Sequence, residues 1–433
     1  MVMKKNYWRV LIGLLSLALI LSGCSAGKPT TKPVSVQGDN LMAGVQAAAW
    51  SKTPTAPEAP MLQAISRFSA ALWQTSAGAK DNMMVSPLSV FLALAMTVNG
   101  ADNETRAAML QTIADQGITL DQVNEASRNL IALLAKTDSK TSLAIANSIW
   151  FRTGFQPDQA FLQRNADYYG AGAQRLDFAA EASVGIINGW VKEATHGTIE
   201  KIVEKIPAST VMYLINAVYF KSDWQTPFTA NDTREGPFQT VQGSVPVKFM
   251  HRTGKINYFT GNGAAGIALP YDANGQFVFF ALLPDDGVTP RTWLAKQETA
   301  GLFGAINNLM AQKSNFTVSL ALPKFEVSYE NVLNDELTAL GMGVAFDSAQ
   351  ADFSQLNAQH SRGLYISEVK HKTFIRVDEK GTEAAAVTSV AIDESAVMAD
   401  VTMTFDRPFL YGIIDRATGL PLFAGIMEDP SAK

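Results

Sequence analysis

At 433 residues, with 47% hydrophobic and 17% charged residues, the chain has the composition of a large globular protein with an extensive core, which excludes a disordered body. A formal net charge of −5 excludes charge-driven attachment to nucleic acid or to an anionic membrane surface. A single cysteine excludes an intramolecular disulfide.

The first residues carry a targeting signal. Lys4, Lys5 and Arg9 precede an apolar run from Val10 to Leu21. The run is too short to cross a bilayer comfortably and fits the core of a signal peptide. It ends in Leu21-Ser22-Gly23-Cys24, which resembles a bacterial lipobox. That resemblance implies that residues 1–23 are a lipoprotein signal peptide and that Cys24 becomes the lipid-bearing N-terminus. More than one acyl chain on Cys24 would give stable anchoring. Ser25 in place of Asp implies, by the same resemblance, the outer membrane, with a periplasmic or a surface-facing domain equally allowed. An ordinary secretory signal is the alternative; it leaves the placement of the only Cys to chance. Residues 24–60 read as the lipidated Cys and a flexible tether, punctuated by Pro29, Pro33, Pro54, Pro57 and Pro60. Within it Leu41, Val45 and Ala48 have helical spacing, so a short helix is expected around Leu41 to Trp50.

The body begins near Met61. Leu62, Ile65, Phe68 and Leu72 recur at helical spacing. Ser86-Pro87 predicts a helix start, with Ser as cap and Pro at the first position. The helix it opens, to about Asn99, is apolar on every side and must lie deep in the core. Val123, Ala126, Leu130 and Leu133 mark another helix; Val184, Ile187 and Val191 mark one more. Val211 to Phe220, Phe277 to Leu283 and Thr317 to Leu322 read as strands. The order lacks the βαβ rhythm of a parallel sheet, so the class is α+β with large antiparallel or mixed sheets. No repeat of fixed period occurs.

Near the C-terminus the chain reads Glu379-Lys380-Gly381-Thr382-Glu383-Ala384-Ala385-Ala386, then Val387-Thr388-Ser389-Val390. Thr382, Ala384, Ala386, Thr388, Val390 and Ile392 share one parity, small and then apolar, while Glu383 and Ser389 fall on the other. Such alternation suits a strand awaiting insertion into a sheet, and Gly381 supplies a backbone pivot. The segment closely resembles the hinge of the serpins, apart from Val387, where the family more often has Ala. Further landmarks follow in the family's order: Asn82 to Ser89, Ala146 to Phe151, Ile215 to Trp224 with Ser222 in place of Gly, Leu322 to Phe325, Leu364 to Val369, Asp406 to Phe409 and Pro421 to Gly425. The resemblance implies a single serpin domain over 61–433, with about nine helices, three β-sheets and a central sheet able to accept the reactive loop.

Four polar residues fall where burial is expected: Ser86, Ser89, Asn216 and His371. If buried they need hydrogen bonds, most economically with one another. The resemblance places them in the shutter, beneath the place where the sheet parts. It places Trp224 and Glu379 at the breach, where insertion begins. It also implies suicide inhibition: a serine protease cleaves the loop between Glu379 and Phe405, forms an acyl-enzyme, and is carried to the far pole as the loop inserts. Counting forward from Glu379 with the spacing the resemblance implies sets the reactive bond at Ser395-Ala396, within a window of Glu394, Val397 and Met398. Asp393 to Val401 contains no Lys or Arg, which disfavours a trypsin-like target; Ser395, Ala396 and Val397 suit an elastase-like one. Cysteine proteases are further possible targets.

Catalysis and cofactors find little footing. His196, His251, His360 and His371 show no zinc-ligand spacing, and neither a Gly-x-Ser-x-Gly elbow nor a phosphate-binding Gly-rich loop occurs. No catalytic residue, metal or cofactor is expected, no dense basic patch suggests a polyanion, and the protein is expected to be a monomer. Two alternatives are a non-inhibitory serpin-fold binding lipoprotein and a lipoprotein hydrolase.

Overall fold

A seven-stranded sheet organises the computed structural model, which describes residues 38–78, 81–137, 140–312, 316–382 and 398–432. Cys24, hinge residues Glu383, Ala384, Ala385 and Ala386, and Glu394, Ser395, Ala396 and Val397 of the reactive window lie outside the described residues. In chain order the strands of this sheet are β1 (Asp39–Asn40), β2 (Thr141–Arg152), β3 (Gly172–Leu176), β4 (Met212–Asp223), β5 (Phe325–Val332), β6 (Lys370–Val377) and β7 (Gly381–Thr382). They lie side by side as β1-β3-β2-β4-β7-β6-β5. A six-stranded sheet contains Phe277–Pro284, Phe409–Asp415 and Pro421–Met427, and a four-stranded sheet contains Thr233–Thr240, Gly243–Lys255, Thr317–Pro323 and Val401–Thr404. The mixture of helices and three sheets is the α+β architecture read from the sequence. No helix among the described residues is long and apolar enough to cross a membrane.

The helices follow the apolar periodicity. Helix α1 (Ala59–Ser76) buries Ile65, Phe68, Leu72 and Trp73, and Trp73 stacks on Phe303 at 5.7 Å. Helix α2 (Pro87–Val98) is buried on nearly every side. It packs against α1, β4 and the Pro421–Met427 strand, so it lies between the two large sheets. Ser86 occupies its cap position and Pro87 its first turn, but the Ser86 side chain makes no capping bond. Among the described residues its buried Oγ has no hydrogen-bond partner. The serine was read correctly as a boundary and wrongly as a side-chain cap. Helix α3 spans Asn103–Ala114, and α4 (Leu120–Leu134) opens with a capping box between Thr119 and Gln122. Helix α5 (Gln159–Tyr169) is capped by Asp158 and ends at Gly170 in the left-handed conformation. Helix α6 (Ala182–Ala194) follows.

The proline-punctuated stretch departs from its expected form. No helix forms around Leu41 to Trp50, and the stretch from Gly38 is not a free tether. β1 adds to the edge of β3, with Asp39 opposite Arg175, and the chain then lies along α5. Ala48 N–H donates to Asp167 Oδ1 at 2.7 Å, Gln163 Nε2 donates to Gln46 O at 2.9 Å, and Trp50 Nε1 donates to Asp167 O at 2.7 Å. Leu41, Met42 and Trp50 pack against the core, and these contacts override a weak local propensity. Trp50→Ala should therefore cost about 2 kcal/mol of stability in urea unfolding, as expected for a half-buried ring.

Candidate functional site

Among the described residues the central sheet is bridged at one place along its middle. β4 pairs with β2 along its whole length on one side, from Ser222 opposite Thr141 to Met212 opposite Phe151. β6 pairs with β5 from Val377 opposite Phe325 to Lys370 opposite Val332. Among the described residues no backbone pairing joins β4 to β6 directly. Only β7 lies between them, with Gly381 opposite Asp223, Thr382 opposite Ser222, and Thr382 opposite Val377 on its other edge. Below this short strand the facing edges of β4 and β6 share no ladder among the described residues. Unpaired strand edges of this kind are templates for an added strand.

The seat of β7 explains two hinge residues. A Cβ on Gly381 would fall 2.0 Å from Ser222 O and 2.8 Å from Asp223 Cα, so no side chain fits there without pushing the strand from the sheet. Gly381 does not adopt a positive φ. Close backbone approach, rather than the pivot expected from sequence, requires glycine here. Thr382 is buried, and its Oγ1 shares a 2.5 Å hydrogen bond with the Tyr271 hydroxyl.

Around β7 the polypeptide is tightly held. Trp224 N–H donates to Lys380 O at 2.7 Å, and Trp224 Nε1 donates to Asp378 O at 2.8 Å. The Trp224 ring stacks on Tyr271 at 4.5 Å. Glu379 accepts from Lys324 Nζ and from Thr233 Oγ1, each at 2.7 Å, and its carbonyl accepts from Phe228 N–H at 2.8 Å. Burial opposes the charge on Glu379, but the Lys324 and Thr233 hydrogen bonds hold its carboxyl below the ordinary value. Trp224 thus holds the backbone of the Asp378–Lys380 turn, while the Glu379 side chain ties the same turn to Lys324 and Thr233. Lys380 N–H donates to Asp378 Oδ1 at 2.9 Å within the turn.

Beneath the open edges lies the start of α2. Ser86 N–H donates to His371 Nε2 on β6 at 3.0 Å. Ser89 Oγ donates to Asn216 Oδ1 on β4, and Asn216 Nδ2 donates to Asn147 Oδ1 on β2 at 2.6 Å. Asn147 Nδ2 continues to Tyr169 O at 3.0 Å. The four residues Ser86, Ser89, Asn216 and His371 therefore do not close one mutual cluster. They form two polar sets, one per strand, joined through a single helix start. Each set satisfies groups that would otherwise be buried without partners.

His371 is buried, and burial pushes its imidazole down to about 4 from 6.5. Its Nε2 accepts, so the neutral ring is the form that fits. The folded value lies below the unfolded one, so the stability this histidine contributes is complete above about pH 6.5 and is lost as pH falls toward 4. Urea midpoints should drop across that window, with a slope of up to roughly 1.4 kcal/mol per pH unit from this group. His371→Gln should flatten it, because an amide oxygen can accept from Ser86 without titrating.

Sequence reasoning missed Asn147, Tyr271, Lys324 and Thr233. Asn147 was discoverable, since it is a polar residue in an apolar strand like Asn216, its register partner. The others are brought in only by tertiary pairing. At the other end of the reactive segment Met398 is 91% exposed. Asp400 is fixed there by two bonds, its N–H to Thr317 O at 2.8 Å and its Oδ2 to Thr317 N–H at 2.7 Å. Residues 383–397 thus run between two anchors, Thr382 in the central sheet and Asp400 at the four-stranded one.

A family profile described as Serpin (serine protease inhibitor) matches residues 63–430. The chain belongs to the serpin family. An uncharacterised serpin-like protein of Thermococcus kodakarensis is 31% identical, over 96% of this chain and 97% of that one. The leukocyte elastase inhibitor of Homo sapiens is 30% identical, over 81% of this chain and 93% of its own. The crystal structure of tengpin, a thermophilic serpin, in its native state matches with a TM-score of 0.82 at 38% identity, covering 91% of this chain and all of tengpin. Serpins are mostly protease inhibitors rather than catalysts, and the inhibitory relatives give this serpin a protease-inhibitor fold. Among its described residues no group of His, Cys, Asp and Glu could hold a metal ion.

Proposed function

We propose that this serpin inhibits serine endopeptidases as a suicide substrate, with residues 383–397 as bait. The observation that carries the reading is β7: Gly381–Thr382 is already seated between β4 and β6, whose edges below it share no ladder among the described residues. The hydroxyl of a protease serine adds to the Ser395 carbonyl, and the Ala396 amine leaves with a proton. The protease is then esterified to a loop whose other end is fixed at Thr382. Freed by cleavage, the loop extends β7 downward and drags the protease along, distorting it before water can hydrolyse the ester.

The observed register gives the inserted strand definite neighbours. Carrying the pairs Thr382–Ser222 and Thr382–Val377 six residues along each strand sets Thr388 between Asn216 and His371. Ala384 would meet Phe220 and Ile375, and Ala386 would meet Val218 and Thr373. Small residues on this face fit beside large ones on the flanking strands, and Thr388 brings a hydroxyl to the two polar sets on α2. Backbone pairing on both edges then offsets the ordering cost of roughly 1–2 kcal/mol per residue.

The target we favour is elastase-like, because Ser395, Ala396 and Val397 suit a shallow apolar pocket and a relative is named for leukocyte elastase. We further infer that Cys24 carries lipid and anchors the domain to the outer membrane, on the strength of Leu21-Ser22-Gly23-Cys24. Incubating the soluble domain with pancreatic elastase should give a covalent complex that survives denaturing electrophoresis, with Ser395 at the new C-terminus of the long fragment. Degradation without a complex would favour a non-inhibitory binding protein, and turnover of a chromogenic ester would favour a hydrolase.

A further inference from the structure

Tyr271 and Asp272 follow the Ala264–Pro270 strand of the six-stranded sheet and grip the central sheet at two adjacent points. Tyr271 holds Thr382. Asp272 Oδ2 accepts from Thr141 Oγ1 at 3.2 Å, and Thr141 Oγ1 lies 2.7 Å from Ser222 Oγ. Because Thr141 gives its proton to the carboxylate, Ser222 is the donor in the second bond. The other carboxylate oxygen accepts from Asn274 N–H at 2.7 Å and Gly275 N–H at 2.6 Å, and Asp272 N–H donates to Asp223 O at 2.9 Å. Thr141, Ser222, Asp272 and Thr382 are all buried. Thr141, Ser222 and Thr382 form one row across β2, β4 and β7.

We propose that the Tyr271–Asp272 turn is a clamp that sets the rate of loop insertion, with Ser222 as a positioning residue that ties the side-chain row of β2 and β4 to it. The inference rests on the insertion reading given above. Extending β7 downward requires β4 to separate further from β6. β4 is zipped to β2 along its length, so the two must move together. The turn belongs to the other sheet, and a shift of β2 and β4 slides them past it. Asp272 reaches both strands by hydrogen bonds: its carboxylate takes the Thr141 hydroxyl of β2, which Ser222 of β4 joins, and its N–H donates directly to Asp223 O at the end of β4. The serine where serpins more often have glycine supplies the last link. Trp224 and Tyr271, stacked beside it, carry a built-in reporter.

The test follows insertion rather than inhibition. The intact serpin is nicked with thermolysin at concentrations where cleavage outpaces the fluorescence change of the tryptophans. Ser222→Ala and Thr141→Val should each speed that change roughly five- to tenfold, and the double variant should be no faster than the singles, since they break one chain of bonds. Rates equal to or slower than the parent's overturn the clamp, as does simple additivity. Should Ser222→Ala not fold, Ser222→Thr provides the comparison; it keeps the hydroxyl and should insert at the parent rate. Thermal midpoints of parent protein before and after nicking separate the two ideas. If nicking leaves the midpoint unchanged, the insertion reading falls. If the midpoint rises but the variants insert at the parent rate, only the clamp falls.

Discussion

Nicking the loop once should raise the thermal midpoint of this serpin by more than about 10 °C. About a dozen residues would join ladders on both edges of a strand, at roughly 1 kcal/mol net per hydrogen bond. Ala384, Ala386, Val390 and Ile392 would add buried apolar surface. A gain on the order of 10 kcal/mol, set against about 2.1 cal/mol/K per residue of unfolding entropy, moves the midpoint by this amount. Differential scanning calorimetry of the intact and nicked forms reads it directly. The same midpoint for both forms would mean that no strand is added on cleavage.

Thr382→Arg should convert the serpin from inhibitor to substrate. Thr382 is 2% exposed and shares its hydroxyl with Tyr271. An arginine there must bury an uncompensated cation or leave the sheet, at about 3–5 kcal/mol. Insertion would slow by roughly 10²- to 10⁴-fold while deacylation by the protease continues, so the loop would be cut and released. The assay is the ratio of covalent complex to cleaved serpin on a denaturing gel, with circular dichroism confirming that the intact variant folds. Unchanged complex formation would separate Thr382 from the mechanism.

The fold was legible because its signals are local. The all-apolar run after Pro87 could only be a deep helix, and the strand runs Val211 to Phe220 and Thr317 to Leu322 lie within or almost within Met212–Asp223 and Thr317–Pro323. The ends of the strands were set by pairing partners far away in sequence, which no local pattern carries. At the site, Asn216 and His371 were conspicuous as polar residues in apolar strands. Their bonding was not, because Ser86 uses its backbone N–H and because Asn147 intervenes. The helix expected near Leu41 failed for a related reason. A weak amphipathic signal in a proline-rich stretch lost to hydrogen bonds offered by Asp167 and Gln163.

Because β7 starts at a fixed register, every later residue of the loop has a preassigned address. On the proposed insertion, positions that alternate with Thr382 would be answerable to the interior, while those beyond the inserted run would be free to suit the protease. Recognition and recoil would then be written on separate letters of one short sequence. A lineage could retarget this molecule to a new enzyme by substitution at the second set without weakening the recoil, whereas gaining or losing a single residue would disturb both at once.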